Sequence, residues 1–431
     1  MSKHQPQHMR AAQPYWHGAT RRLIACGTAA MVAGALAAPT GALAAEWVDV
    51  DGDYHETAYG TEADPWMWDG KNDLTLNNYT GGTITAAGKL DVTYKGDSTI
   101  SGADGDGEAS GTGILVKNGK EEDAELTVKG NKGDSLTVKD VNDGISCAGN
   151  TTVKGSGKVT ISADMGGIVS AKSVTIDGST LDVDVTANKM DEVIGILSYN
   201  SVKVTNATIS IKSDVTPAGS SNAWAYGIVS SASSSSSFGS GPNASVTVKD
   251  STLDIVTRAP KSDSLMNGGS SAITAIAYGG DASITIDNST VRASSPDVAF
   301  FAEAVGEGTY HDSTITLKNA KIVSPSDGKV AEYSMDFSGY SVSIATIANG
   351  NSDDWTENVV SDVKIEGTKK SDKDGSGENT NANVEQASYA GSASSALAAT
   401  GDSAGSGLAA ALGAGVIALG AGIGLRRREE R

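Results

Sequence analysis

Through the middle of the chain, apolar and polar residues alternate in a short unit that returns again and again. The unit runs apolar-x-apolar-x-turn-x-x-apolar-x-apolar. It reads Val174-Thr175-Ile176-Asp177-Gly178-Ser179-Thr180-Leu181-Asp182-Val183, and again Val202 to Ile211 and Val246 to Ile255. Ile284 to Val291 and Ile315 to Ile322 continue the series. A period of two means strands with one buried face, so each unit predicts two short strands around a bend. Gly178, Asn206, Asp250, Asn288 and Asn319 hold the central place. Those residue types tolerate left-handed backbone angles or hydrogen-bond a bend locally.

A second unit precedes the first. It reads Gly144-Ile145-Ser146, Gly167-Ile168-Val169-Ser170, Gly195-Ile196-Leu197-Ser198 and Gly227-Ile228-Val229-Ser230. From its glycine to the turn residue the spacing is 11 for Gly144–Gly155, Gly167–Gly178 and Gly195–Asn206. It becomes 23 for Gly227–Asp250, where the Ser/Gly-rich run Ser231 to Pro242 intervenes. A register interrupted only by an insert predicts one structural coil carrying a loop. Three short strands per coil, a shortest period near 23 residues and variable loops resemble a right-handed parallel β-helix of the pectin-lyase-like type. The resemblance covers roughly residues 71–366 and implies an all-β solenoid whose coils stack Val, Ile and Leu into ladders. A set of β-sandwiches also alternates, but has no reason to keep the glycine-to-turn register.

Composition supports many strands joined by turns: 52 glycines, only 5% aromatic residues, and helix formers not grouped into amphipathic runs. Formal charge is −19 for the whole chain; residues 46–400 hold 25 basic and 49 acidic residues, a net of −24. So acidic a surface argues against nucleic acid and anionic membranes as partners, and suits a protein that collects cations such as Ca2+. Of two cysteines, Cys26 lies near the N-terminus, so Cys147 has no internal disulfide partner once a leader is removed. It follows Ile145 by two, the spacing of inward positions, and is expected to be a buried structural thiol.

Both ends read as sorting segments. Arg10, Arg21 and Arg22 precede an apolar region from Leu23 to Leu36, followed by Ala42, Ala44 and Ala45. Positive charge, a short apolar core and small residues are the parts of a signal peptide over residues 1–45, cleaved after Ala44 or Ala45. Residues 367–396 have almost no large apolar side chains and are expected to form a flexible spacer. The chain closes with Leu397-Ala398-Ala399-Thr400-Gly401, an uncharged run from Leu408 to Leu425, and Arg426-Arg427-Arg428-Glu429-Glu430-Arg431. Eighteen residues span about 27 Å as helix, enough for a transmembrane segment, and the arginines favour a cytoplasmic end.

That order resembles the cell-wall sorting signal of Gram-positive surface proteins. The resemblance implies export to the wall and attack by a sortase thiol on the Thr400 carbonyl. It also implies release of Gly401 onward and transfer of Thr400 to a peptidoglycan amine. The family's usual pentapeptide has Pro where Ala398 stands, which leaves the sortase class open.

Residues 46–70 differ from the repeats, carrying Trp47, Tyr54, Tyr59, Trp66 and Trp68. A solenoid needs its apolar end covered, so this segment is expected to be a cap. Trp66 and Trp68, with Asp49, Asp51 and Asp53, are also candidates for a sugar or calcium site, through ring stacking and alternating carboxylates. For catalysis, Asp182, Asp184, Asp254 and Asp287 are candidates to line one face. The region beyond the leader holds only His55 and His311 as histidines, and Arg258 and Arg292 as arginines up to residue 400. No acid–base pair or lyase constellation stands out. The reading is therefore a noncatalytic adhesin, carbohydrate-binding protein or structural display element, with glycans or a host surface as partners. The alternative is a wall-tethered polysaccharide lyase or glycoside hydrolase.

Overall fold

The computed structural model describes residues 44–102, 111–120, 123–188, 190–217, 223–233, 241–261, 269–337, 339–350 and 355–368. The leader before Ala44, residues 369–396 of the expected spacer, the sorting motif and the apolar tail lie outside the described residues; Gly367, the first residue of that spacer, instead ends a strand. Among the described residues the chain forms thirty strands and one four-residue helix, Trp355–Asn358. No helix among them is long and apolar enough to cross a membrane.

The strands assemble into a ten-stranded and a twenty-stranded sheet, the latter made of two stacks. One coil visits all three stacks in turn. Val174–Asp177 lies in the first, Thr180–Asn188 in the second and Glu192–Ser198 in the third; Ser201–Thr205 then returns to the first. Each strand pairs in parallel with its counterpart in the next coil, as in Ile176↔Val204, Leu181↔Ile209 and Ile196↔Ile228. The long strands Ser135–Cys147 and Lys158–Ser170 bend from the second stack into the third without a break. The chain is an all-β solenoid with three strand stacks.

Alternation puts every second side chain inside. One column in the first stack runs Val128, Val153, Ile176, Val204, Val248, Ile286. In the third stack Ile114, Ile145, Ile168, Ile196, Ile228, Ile273 and Phe300 form another. All of these are fully buried. Burial of such a side chain contributes about 1.5–3 kcal/mol. No coil can achieve it alone, because its inner face is closed by its neighbours.

Each corner has its own device. Between the first and second stacks the backbone turns through a left-handed residue: Gly155 (φ 94°), Gly178 (74°), Asn206 (51°), Asp250 (49°), Asn288 (45°) and Asn319 (47°). The side-chain amide of Asn288 donates to Asp250 Oδ1 (2.7 Å), and that of Asn319 to Asp287 Oδ1 (2.9 Å), so this corner is also tied coil to coil. Between the second and third stacks stand Gly144, Gly167, Gly195 and Gly227. Here the requirement is space. A Cβ on Gly144 would lie 2.6 Å from the Gly167 carbonyl oxygen, and one on Gly195 would lie 2.6 Å from that of Gly227 and against Ile211. Between the third and first stacks a column of buried hydroxyls faces the corner. Ser170 Oγ donates to the Gly149 carbonyl (2.5 Å), Ser198 Oγ to Lys172 (2.6 Å) and Ser230 Oγ to Asn200 (2.8 Å). Cys147 stands in this column, in register with Ser170, its thiol donating to the Asn150 carbonyl at 3.4 Å.

The two ends differ. At the N-terminal end, Trp47–Val50 and Asp53–His55 form a hairpin laid antiparallel on Ile84–Ala87. Its turn is Asp51-Gly52, with φ of 58° and 81°, the geometry that suits a two-residue hairpin. Trp66–Trp68 then pairs antiparallel with Asp73–Asn77 and closes the first stack. At the C-terminal end the ladder changes direction. Tyr340–Asn349 lies antiparallel between Val298–Glu307 and Gly328–Phe337, and Asp362–Gly367 lies antiparallel between Thr290–Ser294 and Ala320–Ser324. Late strands are thus inserted beneath the last coil. The repeat pattern gave no sign of this, because alternation is the same for parallel and antiparallel pairing.

Two substitutions test the corners. Gly195→Ala should destabilise the protein by about 2–4 kcal/mol in chemical denaturation, because backbone must move to admit the methyl group. Cys147→Ser should fall within about 1 kcal/mol of the parent, because a hydroxyl there meets the environment Ser170 and Ser198 already occupy.

Candidate functional site

The interior is filled, so chemistry and recognition fall to the three outer faces and the ends. On the first face, one outward column reads Thr127, Thr152, Thr175, Lys203, Thr247, Thr285, Thr316. The second face is charged. Asp182 pairs with Lys158 at 2.6 Å, Asp184 with Lys212 at 3.2 Å, and Asp214 with Arg258 at 3.5 Å. Asp182, Asp184 and Asp254 do share this face, as their spacing suggested. Asp287 belongs to the first face, in register with Lys249 and Lys318. Partly exposed pairs of this kind contribute little stability and mark a solvated surface.

The third face is different. Val169, Leu197 and Val229 follow one another outward along it, each buried, with Ile194, Trp224, Tyr226, Ile276, Tyr278, Val342 and Ile344 in one apolar cluster separate from the interior. Two carboxyls on this stack are strongly perturbed. Burial pushes Asp143 up to about 7, and burial alone does the same for Glu303. Glu303 stands between Ile276 and Ile344 of the neighbouring strands. Asp143 and Glu303 are separated by five inter-coil steps, about 24 Å at the usual strand spacing. Glycosidic chemistry with two carboxyls requires roughly 5–9.5 Å between them. The two perturbed acids therefore do not form one acid–base pair.

The histidines are also apart in the fold. His55 lies in the N-terminal hairpin, with Nε2 3.0 Å from Asp53, and His311 lies near the C-terminal end, 3.8 Å from Asp281. Burial pushes the Cys147 thiol up to about 11, away from nucleophilic chemistry near neutral pH. Among the described residues, a shallow open dent beside Thr61, Asp64, Met67 and Lys95 has room on the order of one water molecule, far below the size of small-molecule sites.

The cap residues resolve into two groups. Trp68 is 2% exposed and Trp66 7%, so their rings belong to the core and cannot serve as sugar platforms. The indole N–H of Trp68 donates to the Lys71 carbonyl at 3.3 Å. Asp49, Asp51 and Asp53 serve the hairpin turn. Asp49 Oδ1 accepts the Gly52 N–H (2.9 Å), Asp51 takes the left-handed turn position, and Asp53 faces His55. Among the described residues no three acidic, His or Cys side chains cluster as metal ligands. The rings left at the surface are Tyr54 and Tyr59. The signal for this was the alternation Trp47-Val48-Asp49-Val50: the valines face inward, so Trp47 and its cross-strand neighbours face out.

Of the sorting residues, Ala42 and the five from Leu397 to Gly401 lie outside the described residues. Ala44 forms a bridge to Lys89, and Ala45 is buried, its N–H bonded to the Lys71 carbonyl at 2.9 Å. Ala45 is therefore part of the folded body. Compared with protein-family profiles, curated proteins and solved structures, the chain matches none.

The perturbed carboxyls generate a pH prediction. Glu303 rises from an ordinary value of 4.5 to about 7 in the fold. Between those values the folded state holds a proton that the unfolded state has released. Stability should therefore fall as pH rises through that window and level off above it. Asp143 acts with the same sign. In thermal or urea melts from pH 4.5 to 8, Glu303→Gln should flatten the decline by at most about 3 kcal/mol.

Proposed function

We propose that this chain is a noncatalytic surface protein displayed on a Gram-positive cell wall, with a right-handed parallel β-helix as its displayed body. The observation that carries it is the sequence Leu397-Ala398-Ala399-Thr400-Gly401, followed by an uncharged run and an arginine tail, behind one continuous solenoid. Right-handed winding is favoured because parallel crossover connections are overwhelmingly of that hand. The noncatalytic reading is supported by the separation of Asp143 and Glu303 and by the pairing of Asp182 and Asp184 with lysines. A sortase is the transient partner and peptidoglycan the covalent one, through Thr400. The place of Ala45 in the fold favours cleavage that leaves it on the mature chain, after Ala44 or earlier.

Fractionation of a Gram-positive host tests the address. The parent chain should leave the envelope only after wall digestion, whereas a chain lacking residues 397–431 should appear in the medium. Thr400→Ala should remain with the membrane fraction and lack attached wall fragments. Envelope retention of the deleted chain, or wall linkage of Thr400→Ala, would overturn the reading. N-terminal sequencing of the parent should begin at or before Ala45.

A further inference from the structure

The outward positions of the N-terminal hairpin carry two aromatic rings, whereas those of the first and second faces carry mainly Thr, Lys, Asp or Ser. Tyr54 is 50% exposed, although it sits in a paired strand. Its ring lies 5.5 Å from that of Trp47 at an angle of 34°. Both rings stand on a backbone held by the hairpin register Asp49↔Tyr54 and by the pairing Trp47↔Ala87 with the first coil. The pair is therefore pre-positioned, so little ordering would be required on binding.

Carboxylates surround the rings. Tyr54 Oη donates to Glu56 Oε1 at 2.8 Å, and Asp49 stands directly across the hairpin. Glu46, next to Trp47, accepts the Lys120 N–H at 2.6 Å, which fixes it beside the platform. A carboxylate has about four acceptor sites, so each of these groups retains capacity for further donors.

We propose that Trp47 and Tyr54 form a stacking platform for a neutral pyranosyl glycan, with Glu56 and Asp49 accepting hydrogen bonds from its hydroxyls. The apolar C–H face of a pyranose ring suits an exposed aromatic face, and its rim of hydroxyls suits acceptor-only carboxylates. At 5.5 Å and 34° the half-buried Trp47 ring packs partly against Tyr54 and supports it, leaving the half-exposed Tyr54 ring as the open face; this is not a cage of perpendicular walls, which favours a ring-shaped ligand over a compact cation. The acidic surroundings repel uronates and sulfated sugars. This deepens the display reading by naming a ligand class and a place for it. It does not depend on how the chain is anchored, so the fractionation result and the binding result stand apart.

The test is isothermal titration of the protein with cellohexaose, chitohexaose, polygalacturonate and tetramethylammonium chloride. At least one of the two neutral hexasaccharides should bind, and the other two probes should not. Tyr54→Ala should weaken binding about ten-fold with an unchanged thermal midpoint, since its ring is half exposed. Glu56→Gln, which keeps the size of the side chain, should weaken it by a smaller factor. Tyr59→Ala should leave affinity unchanged, because that ring stacks over Trp66 at 4.3 Å and beside His55 at 4.0 Å, in a separate aromatic group. Failure of both neutral hexasaccharides to bind, full affinity in Tyr54→Ala, or tetramethylammonium binding lost with Tyr54→Ala would each overturn the assignment.

Discussion

In-register stacking of one coil on the next is the constraint on which everything else in this protein depends. Each inward Val, Ile or Leu is buried because the corresponding side chain of the neighbouring coil covers it. A slip of one residue in any strand would turn the whole inward set to solvent. The corners prevent the slip. A left-handed residue at the first, a missing Cβ at the second and a buried hydroxyl at the third each fit one position along the chain. With all three in place the coil length is set, and Ser230 and Lys249 keep their register with the neighbouring coils on either side of the Ser/Gly-rich insert.

Stacking creates a difficulty at each end, where the last coil presents an apolar core and unpaired strand edges. The N-terminal end solves it with bulk: Val48 and Val50 of the hairpin enter the core, and Trp66 and Trp68 cover the first stack. The C-terminal end solves it with topology. Gly328–Phe337 and Ala320–Ser324 run in the direction of the coil before them, yet Tyr340–Asn349 and Asp362–Gly367 are threaded between. Parallel growth of the second and third stacks therefore ends in an antiparallel strand of the chain itself, while Ile347, Val363 and Ile365 continue the interior packing, and Val342 and Ile344 the outer cluster.

Much of the fold was legible in the sequence because its constraints fall on identifiable residues. The glycine-to-turn spacing identified coils, and the turn residues proved to be the left-handed ones. Cys147 was recognised as buried from its spacing to Ile145. The aromatic content of residues 46–70 sets them apart from the repeats, but does not show which rings point inward. Trp66 and Trp68 are the inward pair of a strand with pattern buried–intermediate–buried, and the candidate sugar platform among them is core. The strand insertion was invisible because direction leaves no trace in an alternating pattern. The apolar third face was hidden for a related reason: a continuous run such as Glu192–Ser198 does not show which residues point in and which out.

The same physics explains why the fold of this protein is easier to read than its partner. Inward positions and corners are constrained by stacking, so they repeat and reveal the fold. Outward positions are free of that constraint, and on the first and second faces they hold mainly Thr, Ser, Lys and Asp, which keep a strand soluble and little else. A departure there has no explanation in the core. The hairpin needs Val48 and Val50 to close the stack, and nothing in that role calls for an indole and a phenol on the opposite side. Exposed tyrosines occur singly on many proteins without meaning. Here the ring is paired with a second, fixed by two ladders and flanked by acceptors, on a chain with only 5% aromatic residues. That combination is what solubility alone would not have produced.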